Sequence, residues 1–322
     1  MTLPPEFALI AEHFRPLAGP GALDLSDDAA LLTPPPGREL VLAADAMVAG
    51  VHFLPDDPAD SIARKLLRTN LSDLAAMGAV PLGYLLTVSL PRDLPDGWLA
   101  RFAQGLAADQ AEFGLRVLGG DTTSTRGPVS LSLTIIGHVV PGTALRRNGA
   151  RPGDDLWVSG TVGDGTLGLA VLLGEQPGDA EGHLAERYRI PRPRMALGQG
   201  LVGLATAAID VSDGLVQDLG HLCRASGCGA ELVAPLVPLS EAATALLRAD
   251  PALLPRILTG GDDYELLFAA PPAAAGAIAA LADSTGTPAT RIGRFVPGAP
   301  VATVLDEKGL PLPLVRQGWS HF

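Results

Sequence analysis

The 322 residues carry a formal net charge of -12 and 47% hydrophobic side chains, which excludes wholesale disorder and makes nucleic acid or anionic lipid a poor partner for the surface as a whole. Two cysteines, Cys223 and Cys228, are too few for a disulfide framework or a four-cysteine zinc site. The opening MTLPPEFALIAEHF lacks a basic start followed by an apolar run, and no stretch approaches about 20 uninterrupted apolar residues, so a soluble, cytoplasmic protein is expected, with neither nucleic acid nor membrane as partner.

In chain order, the periodicities predict a helix at 6–15, strands at 28–33 and 39–45, a helix at 60–78, a strand at 82–90, a helix at 96–113 and strands at 115–119 and 129–140. Turn residues and three arginines, Arg146, Arg147 and Arg151, then mark a join between Pro141 and Pro152, dividing the chain into domains 1–140 and 141–322. The second half reads as strands at 155–160, 207–211, 229–233, 265–270, 290–296 and 301–305, with helices at 163–174, 193–206, 213–226, 240–249 and 272–286. Strands alternating with helices predict an α/β or α+β fold, and the loops 174–192 and 258–264 are where binding groups are expected, the first as a flap.

Aspartates stand beside glycine or serine at four predicted strand ends: Ser26-Asp27-Asp28, Gly119-Gly120-Asp121, Asp210-Val211-Ser212-Asp213-Gly214 and Gly260-Gly261-Asp262-Asp263. Each alone is equally well a turn or a helix cap, because Asp and Gly dominate both. Together with Asp45, at the end of VLAAD, they form a set that would repel itself unless cations bridge it, and magnesium with a phosphorylated ligand suits such oxygens. At about 100° per residue, Ile62, Leu66, Asn70, Asp73 and Met77 share one helix face, so Asp73 interrupts an apolar stripe and requires a donor, an arginine or a metal.

Lysine occurs only at Lys65 and Lys308, neither after glycine, which excludes a Walker loop and leaves no credible Schiff base. H-E-x-x-H and G-x-S-x-G are absent, which argues against a zincin or an α/β-hydrolase. Gly163-Asp164-Gly165-Thr166-Leu167-Gly168 matches G-x-G-x-x-G between strand and helix, the rival signal for a dinucleotide, but no apolar strand ending in an acid follows it. His52 is the one histidine close to an aspartate-bearing strand end, although a lone histidine is more often a satisfied structural residue than a functional one.

Several segments resemble the thiamine-monophosphate kinase family: Asp27-Asp28-Ala29-Ala30, Asp45 with Val48-Ala49-Gly50-Val51-His52-Phe53, Asn70-Leu71-Ser72-Asp73, Gly119-Gly120-Asp121-Thr122-Thr123, Arg147-Asn148-Gly149-Ala150-Arg151, Asp210-Val211-Ser212-Asp213-Gly214, Gly260-Gly261-Asp262-Asp263-Tyr264-Glu265 and the ending Gly318-Trp319-Ser320-His321-Phe322. The resemblance runs in order along nearly the whole chain. It implies a two-domain PurM-like architecture: an N-terminal ATP- and magnesium-binding domain whose sheet pairs across a homodimer, and a C-terminal α/β domain, with ATP and several magnesium ions held between them.

Residue by residue, the resemblance implies magnesium ligands at Asp28, Asp45, Asp73, Asp121, Asp210 and Asp213, ATP contacts at Gly120, Arg147 and Ser212, and thiamine monophosphate contacts at His52, Asp262 and Trp319. Where the family usually has Ser-Thr before the second aspartate, this chain has Ala43-Ala44, which offer a metal only carbonyls. Where the family has Glu, this chain has the shorter Asp262, and Phe113 stands where a tyrosine is common and a ring stacks on adenine. The implied reaction is ATP-dependent phosphorylation of thiamine monophosphate to thiamine diphosphate, the last step in making that cofactor. An already ionised phosphate attacks directly, so positioning and charge neutralisation by magnesium, Arg147, Asp73, Asp121, Asp210 and Asp213 carry catalysis. The alternatives are another enzyme of the superfamily, such as one like aminoimidazole ribonucleotide synthetase, and a non-catalytic nucleotide- and magnesium-binding regulator.

Overall fold

The computed structural model describes residues 5–320, so His321 and Phe322 of the family-like ending lie outside the described residues. The chain forms two compact units, one running to Leu74 and resuming over Ala79–Gly142, the other made of Ala75–Gly78 and the chain from Thr143 onward.

In the first unit the expected helix at 6–15 is only α1 (Pro5–Leu9), followed by a wider turn over Ile10–Phe14 and a tighter one over Arg15–Leu17, where Pro16 has no N–H to continue a regular helix. No strand forms at 28–33. Leu31 N–H donates to Gly21 O at 2.8 Å, and Pro34, Pro35 and Pro36 supply no N–H for a ladder. The expected later elements follow: β1 (Glu39–Val48), α2 (Ala59–Ala76), β2 (Val80–Pro91), α3 (Trp98–Phe113), β3 (Arg116–Thr125) and β4 (Ser130–Val139). The strands make one sheet in the order β1-β4-β2-β3, with β2 and β3 parallel and the other pairs antiparallel.

The period of two along a strand gives this sheet a covered and an open face. Val41 and Met47 of β1 are buried with Tyr84, Leu86, Leu133 and Ile135. The helices lie on that side: Gln110 of α3 donates to the Tyr84 hydroxyl, and a side-chain carbon at Gly137 would abut Leu74 of α2. Between the two helices Asp109, fully buried, accepts Arg68 Nε and Nη2 and Arg64 Nε, which satisfies a charge that would otherwise be costly to bury. On the other face Leu40, Leu42, Ala44, Ala46, Leu85 and Thr87 are exposed, Leu42 by 62%.

The second unit contains β5 (Asp155–Ser159), α4 (Asp164–Leu172), α5 (His183–Arg189), α6 (Met195–Gly200), β6 (Ala207–Asp210), α7 (Leu215–Ser226), β7 (Gly229–Val233), α8 (Glu241–Ala249), α9 (Leu254–Thr259), β8 (Leu266–Ala270), α10 (Ala275–Thr285), β9 (Ala289–Val296) and β10 (Ala302–Leu305). The sheet order is β10-β7-β9-β5-β8-β6. Every residue of β5, β6 and β8 is buried, as their unbroken apolar runs require. Leu219, Leu222 and Cys223 of α7 pack in a core with Leu156, Val158, Ile209, Leu267 and Phe295, each leucine contributing about 1.5–3 kcal/mol by leaving water.

Two short helices form where none was expected. The segment 174–192 is not a bare flap, because α5 buries Leu184 and Tyr188 in it, and α9 precedes the loop at 260–264. The helix expected over 193–206 stops at Gly200, in a segment that carries Gly198, Gly200 and Gly203.

Candidate active site

The first unit gathers part of the expected set in an open cleft of about 680 Å³ on the exposed sheet face, lined by Asp27, Asp28, Gly120, Asp121, Thr122 and Ser132 among others. The Asp121 carboxylate accepts the next backbone N–H, from Thr122, at 2.9 Å, and Asp28 N–H donates to Asp27 at 2.9 Å. Gly120 has φ 154° on β3, where any side chain would run into the Leu86 backbone.

Asp45 lies elsewhere on the same sheet. Its N–H donates to Asn70 Oδ1 at 3.2 Å, and Asn70, fully buried, donates in turn to Leu66 O. Asp73 follows Asn70 by three residues on α2 and is half-buried. Ala43 and Asp45 face the helices, whereas Ala44 faces the open side. The pairing Asp45↔Leu133, Leu133↔Leu86, Leu86↔Gly120 puts three strand intervals between Asp45 and Gly120, about 14 Å at the usual spacing. Asp121, next along, points to the face opposite Asp45. One chain therefore does not bring Asp45 and Asp121 onto the same ion, whose oxygens would sit about 2.0–2.1 Å from it.

His52 is held by local bonds: its Nδ1 accepts Val48 N–H at 3.0 Å and its carbonyl accepts Nζ of the buried Lys65 at 2.9 Å. The Phe113 ring lies 5.2 Å from the Arg68 guanidinium and is not among the residues lining the cleft.

In the second unit the remaining residues surround the start of α7. Asp210 ends β6 and is buried, and Ser212 and Asp213 follow in the turn. That turn is shaped by a residue the sequence reading passed over. Asp218 Oδ2 accepts three successive N–H groups, from Ser212, Asp213 and Gly214, each at 3.1 Å. Burial, then the charges of Asp210 and Asp213, push the Asp218 carboxyl well above the usual carboxylate range, against the pull of the Asp213 and Gly214 N–H groups. Ligand atoms of Asp213, Asp218 and His221 lie within 4.8 Å of one another. Burial, Arg224 and Arg147 hold the His221 imidazole below its ordinary pKa, which also places the exposed Arg147 within electrostatic reach of this turn. The spacing of an acid and a histidine at i and i+3 in the first turns of a helix was the available signal for both.

The tail reaches the same place. Trp319 N–H donates to Asp213 O at 2.9 Å, while Gln217 Nε2 donates both to Trp319 O at 2.7 Å and to Asp213 Oδ2 at 3.1 Å. Asp262 N–H donates to Ser212 O at 3.0 Å, and its carboxylate accepts the Tyr264 hydroxyl at 3.2 Å. Asp210, Ser212, Asp213, Asp262 and Trp319 are thus neighbours.

The glycine pattern at 163–168 has an occupant of its own. Asp263, fully buried, accepts Gly163 N–H at 2.7 Å and Gly165 N–H at 3.0 Å, taking the anion position at the start of α4 that a dinucleotide phosphate would need. The dinucleotide reading is thereby overturned.

Asp213 and Asp218, grouped with His221, and the neighbouring Asp210, whose charge acts on Asp218 after the larger effect of burial, form a hard-oxygen donor set that fits magnesium. Ala43 and Ala44 add only main-chain carbonyls to β1.

Two family models match the chain: AIR synthase related protein, N-terminal domain, over residues 26–139, and AIR synthase related protein, C-terminal domain, over 151–306. The thiamine-monophosphate kinase of Caulobacter vibrioides is 46% identical over 99% of this chain and 91% of its own. The crystal structure of thiamine-monophosphate kinase from Stenotrophomonas maltophilia K279a matches with a TM-score of 0.82 at 41% identity, over 89% of this chain and 91% of that one. AaThiL complexed with AMPPCP and TMP matches at 0.79 and 30% identity, over 92% and 91%. With the PurM-like fold and the catalytic family both matched over nearly its full length, the chain belongs to the thiamine-monophosphate kinase family.

Proposed function

We propose that this chain phosphorylates thiamine monophosphate to thiamine diphosphate by direct in-line transfer of the γ-phosphoryl group of ATP, as the activity of its family and the complex of AaThiL with AMPPCP and TMP support. The observation that carries the reading is the convergence of Asp210, Asp213 and Asp218 at the start of α7, beside Asp262 and the tail residue Trp319.

Asp28, Asp45, Asp73 and Asp121 of the first unit and Asp210 and Asp213 of the second would hold magnesium, with Ala43 and Ala44 contributing carbonyls. Magnesium bound there supplies the charge neutralisation that lets two phosphates approach an acidic protein. Gly120 offers a close backbone approach to ATP, Ser212 a hydroxyl, Arg147 a fixed positive charge and Phe113 a ring. His52, Asp262 and Trp319 orient thiamine monophosphate. The acceptor phosphate is already ionised, so no residue need remove a proton, and catalysis rests on alignment and electrostatics. The first domain, 1–140, then serves ATP, magnesium and dimer formation, and 141–322 completes the enzyme. Use of ATP supports a cytoplasmic setting; among the described residues no helix is long and apolar enough to cross a membrane.

A homodimer is part of the proposal. The open face carries Leu40, Leu42, Ala44, Ala46 and Leu85, and the roughly 14 Å between Asp45 and Gly120 requires a second copy if the carboxylates are to share ions. Asp45 and Asp73 of one copy would then work with Asp28 and Asp121 of the other.

Incubation with ATP, magnesium and thiamine monophosphate is expected to give ADP and thiamine diphosphate in equal amounts; no product with any divalent cation sinks the kinase reading. Asp45→Asn and Asp121→Asn homodimers are expected to be nearly inactive, yet co-expression should restore about a quarter of wild-type activity, since half the dimers are mixed and one of their two sites is intact. Absence of any recovery would show that each chain's site is self-contained.

A further inference from the structure

The loop between α9 and β8 alternates strictly. Asp262 and Tyr264 are half-buried with φ of 71° and 52°, a conformation non-glycine residues seldom adopt, whereas Asp263 and Glu265 are fully buried. The two buried carboxylates are tied to four separate elements. Asp263 spans the Gly163 and Gly165 N–H groups at the start of α4. Arg187 of α5 donates through Nη2 to Asp263 O at 3.0 Å and to Glu265 Oε1 at 2.9 Å. Glu265 Oε2 also accepts Ser159 Oγ of β5 and Arg194 Nε at the head of α6, each at 2.6 Å.

This clasp holds the loop from beneath while its upper edge is bonded to the Asp210–Asp213 turn. Asp262 N–H reaches Ser212 O, Tyr264 N–H reaches Val211 O at 2.8 Å, and Val211 N–H returns to Glu265 O at 2.8 Å. Pulling Asp263 inward turns Asp262 to the opposite side, where its carboxylate meets Tyr264. An uncompensated positive φ at two residues persists only where the surroundings over-determine it, and such strain gathers at binding sites.

We propose that Asp263 and Arg187 are positioning residues for the thiamine monophosphate side of the site: they hold the strained turn that aims Asp262 and set its height against the Asp210–Asp213 turn. This rests on the reading that Asp262 meets thiamine monophosphate. Neither residue touches substrate. An amide at 263 can accept one of the two glycine N–H groups but presents a donor to the other, so the turn relaxes.

The test measures kcat and both KM values for wild type, Asp263→Asn and Arg187→Lys, with direct calorimetric binding of thiamine monophosphate and melting temperatures. Phe295→Leu, a core truncation on β9, supplies a merely destabilised comparison. For Asp263→Asn the KM for thiamine monophosphate is expected to rise about tenfold or more, as displaced binding groups do, with the KM for ATP little changed and calorimetric affinity falling in step. Arg187→Lys, which keeps the charge but loses the fork, should show a smaller rise and remains informative where Asp263→Asn fails to fold. Phe295→Leu should lower the melting temperature alone. In an active wild type, variants that melt earlier with both KM values unchanged would overturn the positioning role and leave the kinase reading standing. An inactive wild type would sink that reading first, and the positioning role with it.

Discussion

Asp218 and Asp263 are both buried and both accept backbone N–H groups near helix starts, Asp218 through Oδ2 and Asp263 through both oxygens, whereas Asp28 and Asp121 stand exposed in the open cleft. In the sequence Asp28, Asp121 and Asp263 look alike, each in a run with glycine or serine where a cap or a ligand was equally open, and Asp218 lies outside those runs. Burial and donor count separate them: Asp263, with each oxygen taken by an N–H group, has little left for a metal, whereas the three N–H groups at Asp218 all fall on Oδ2. Asp73 occupies neither extreme. Half-buried beside the Asn70 that bonds Asp45, it lies on the helix surface without being sealed in the core. Asp73→Asn is therefore expected to keep the melting temperature within a few degrees while lowering kcat by about 100-fold or more, the scale for losing one electrostatic contributor. Near-normal turnover would make Asp73 structural.

The start of α4 shows the same separation at the scale of an element. Its glycines gave the only pattern pointing to a different cofactor, and an internal carboxylate 98 residues away fills the place, which no local reading detects. Burial pushes the Asp263 carboxyl up to about 8, with the two N–H groups and Arg187 pulling the other way. The folded state then keeps a proton between about pH 4 and 8 that the unfolded chain releases, so this group's contribution to stability is full at the low end and is lost as pH rises through that window, by at most about 1.4 kcal/mol per pH unit. Melting temperature is expected to fall from pH 5 to pH 8 in wild type and to vary less over that range in Asp263→Asn. A steeper wild-type loss toward acid, removed by the same substitution, would show that Asp263 is ionised throughout. The two unexpected helices, α5 and α9, share a cause: at seven and six residues they are too short for amphipathic periodicity to emerge.

For the molecule as a whole, the open face of the four-stranded sheet is where the proposed dimer can be broken without touching a binding residue. Leu42→Lys puts a charge where an exposed leucine now stands, and is expected to shift the protein toward monomer in sedimentation with a concentration-dependent loss of activity. A monomeric variant retaining full specific activity would refute the shared site.

Residue order alone determined the class of fold, most strands and long helices, and the family, because period-two and period-3.6 burial and the aspartate-glycine segments are local and survive as written. The strand expected at 28–33 failed because being apolar does not supply a ladder partner, and Pro34–Pro36 withhold donors. What only the tertiary structure decided is which carboxylates can meet. Asp45 and Asp121 sit on strands separated by two others and point to opposite faces, while Asp262 and Asp213, far apart in sequence, are drawn together by Ser212 and the clasp beneath them. Strand order, facing and the occupant of a helix start are set by contacts between distant segments, and those follow from packing the whole unit at once.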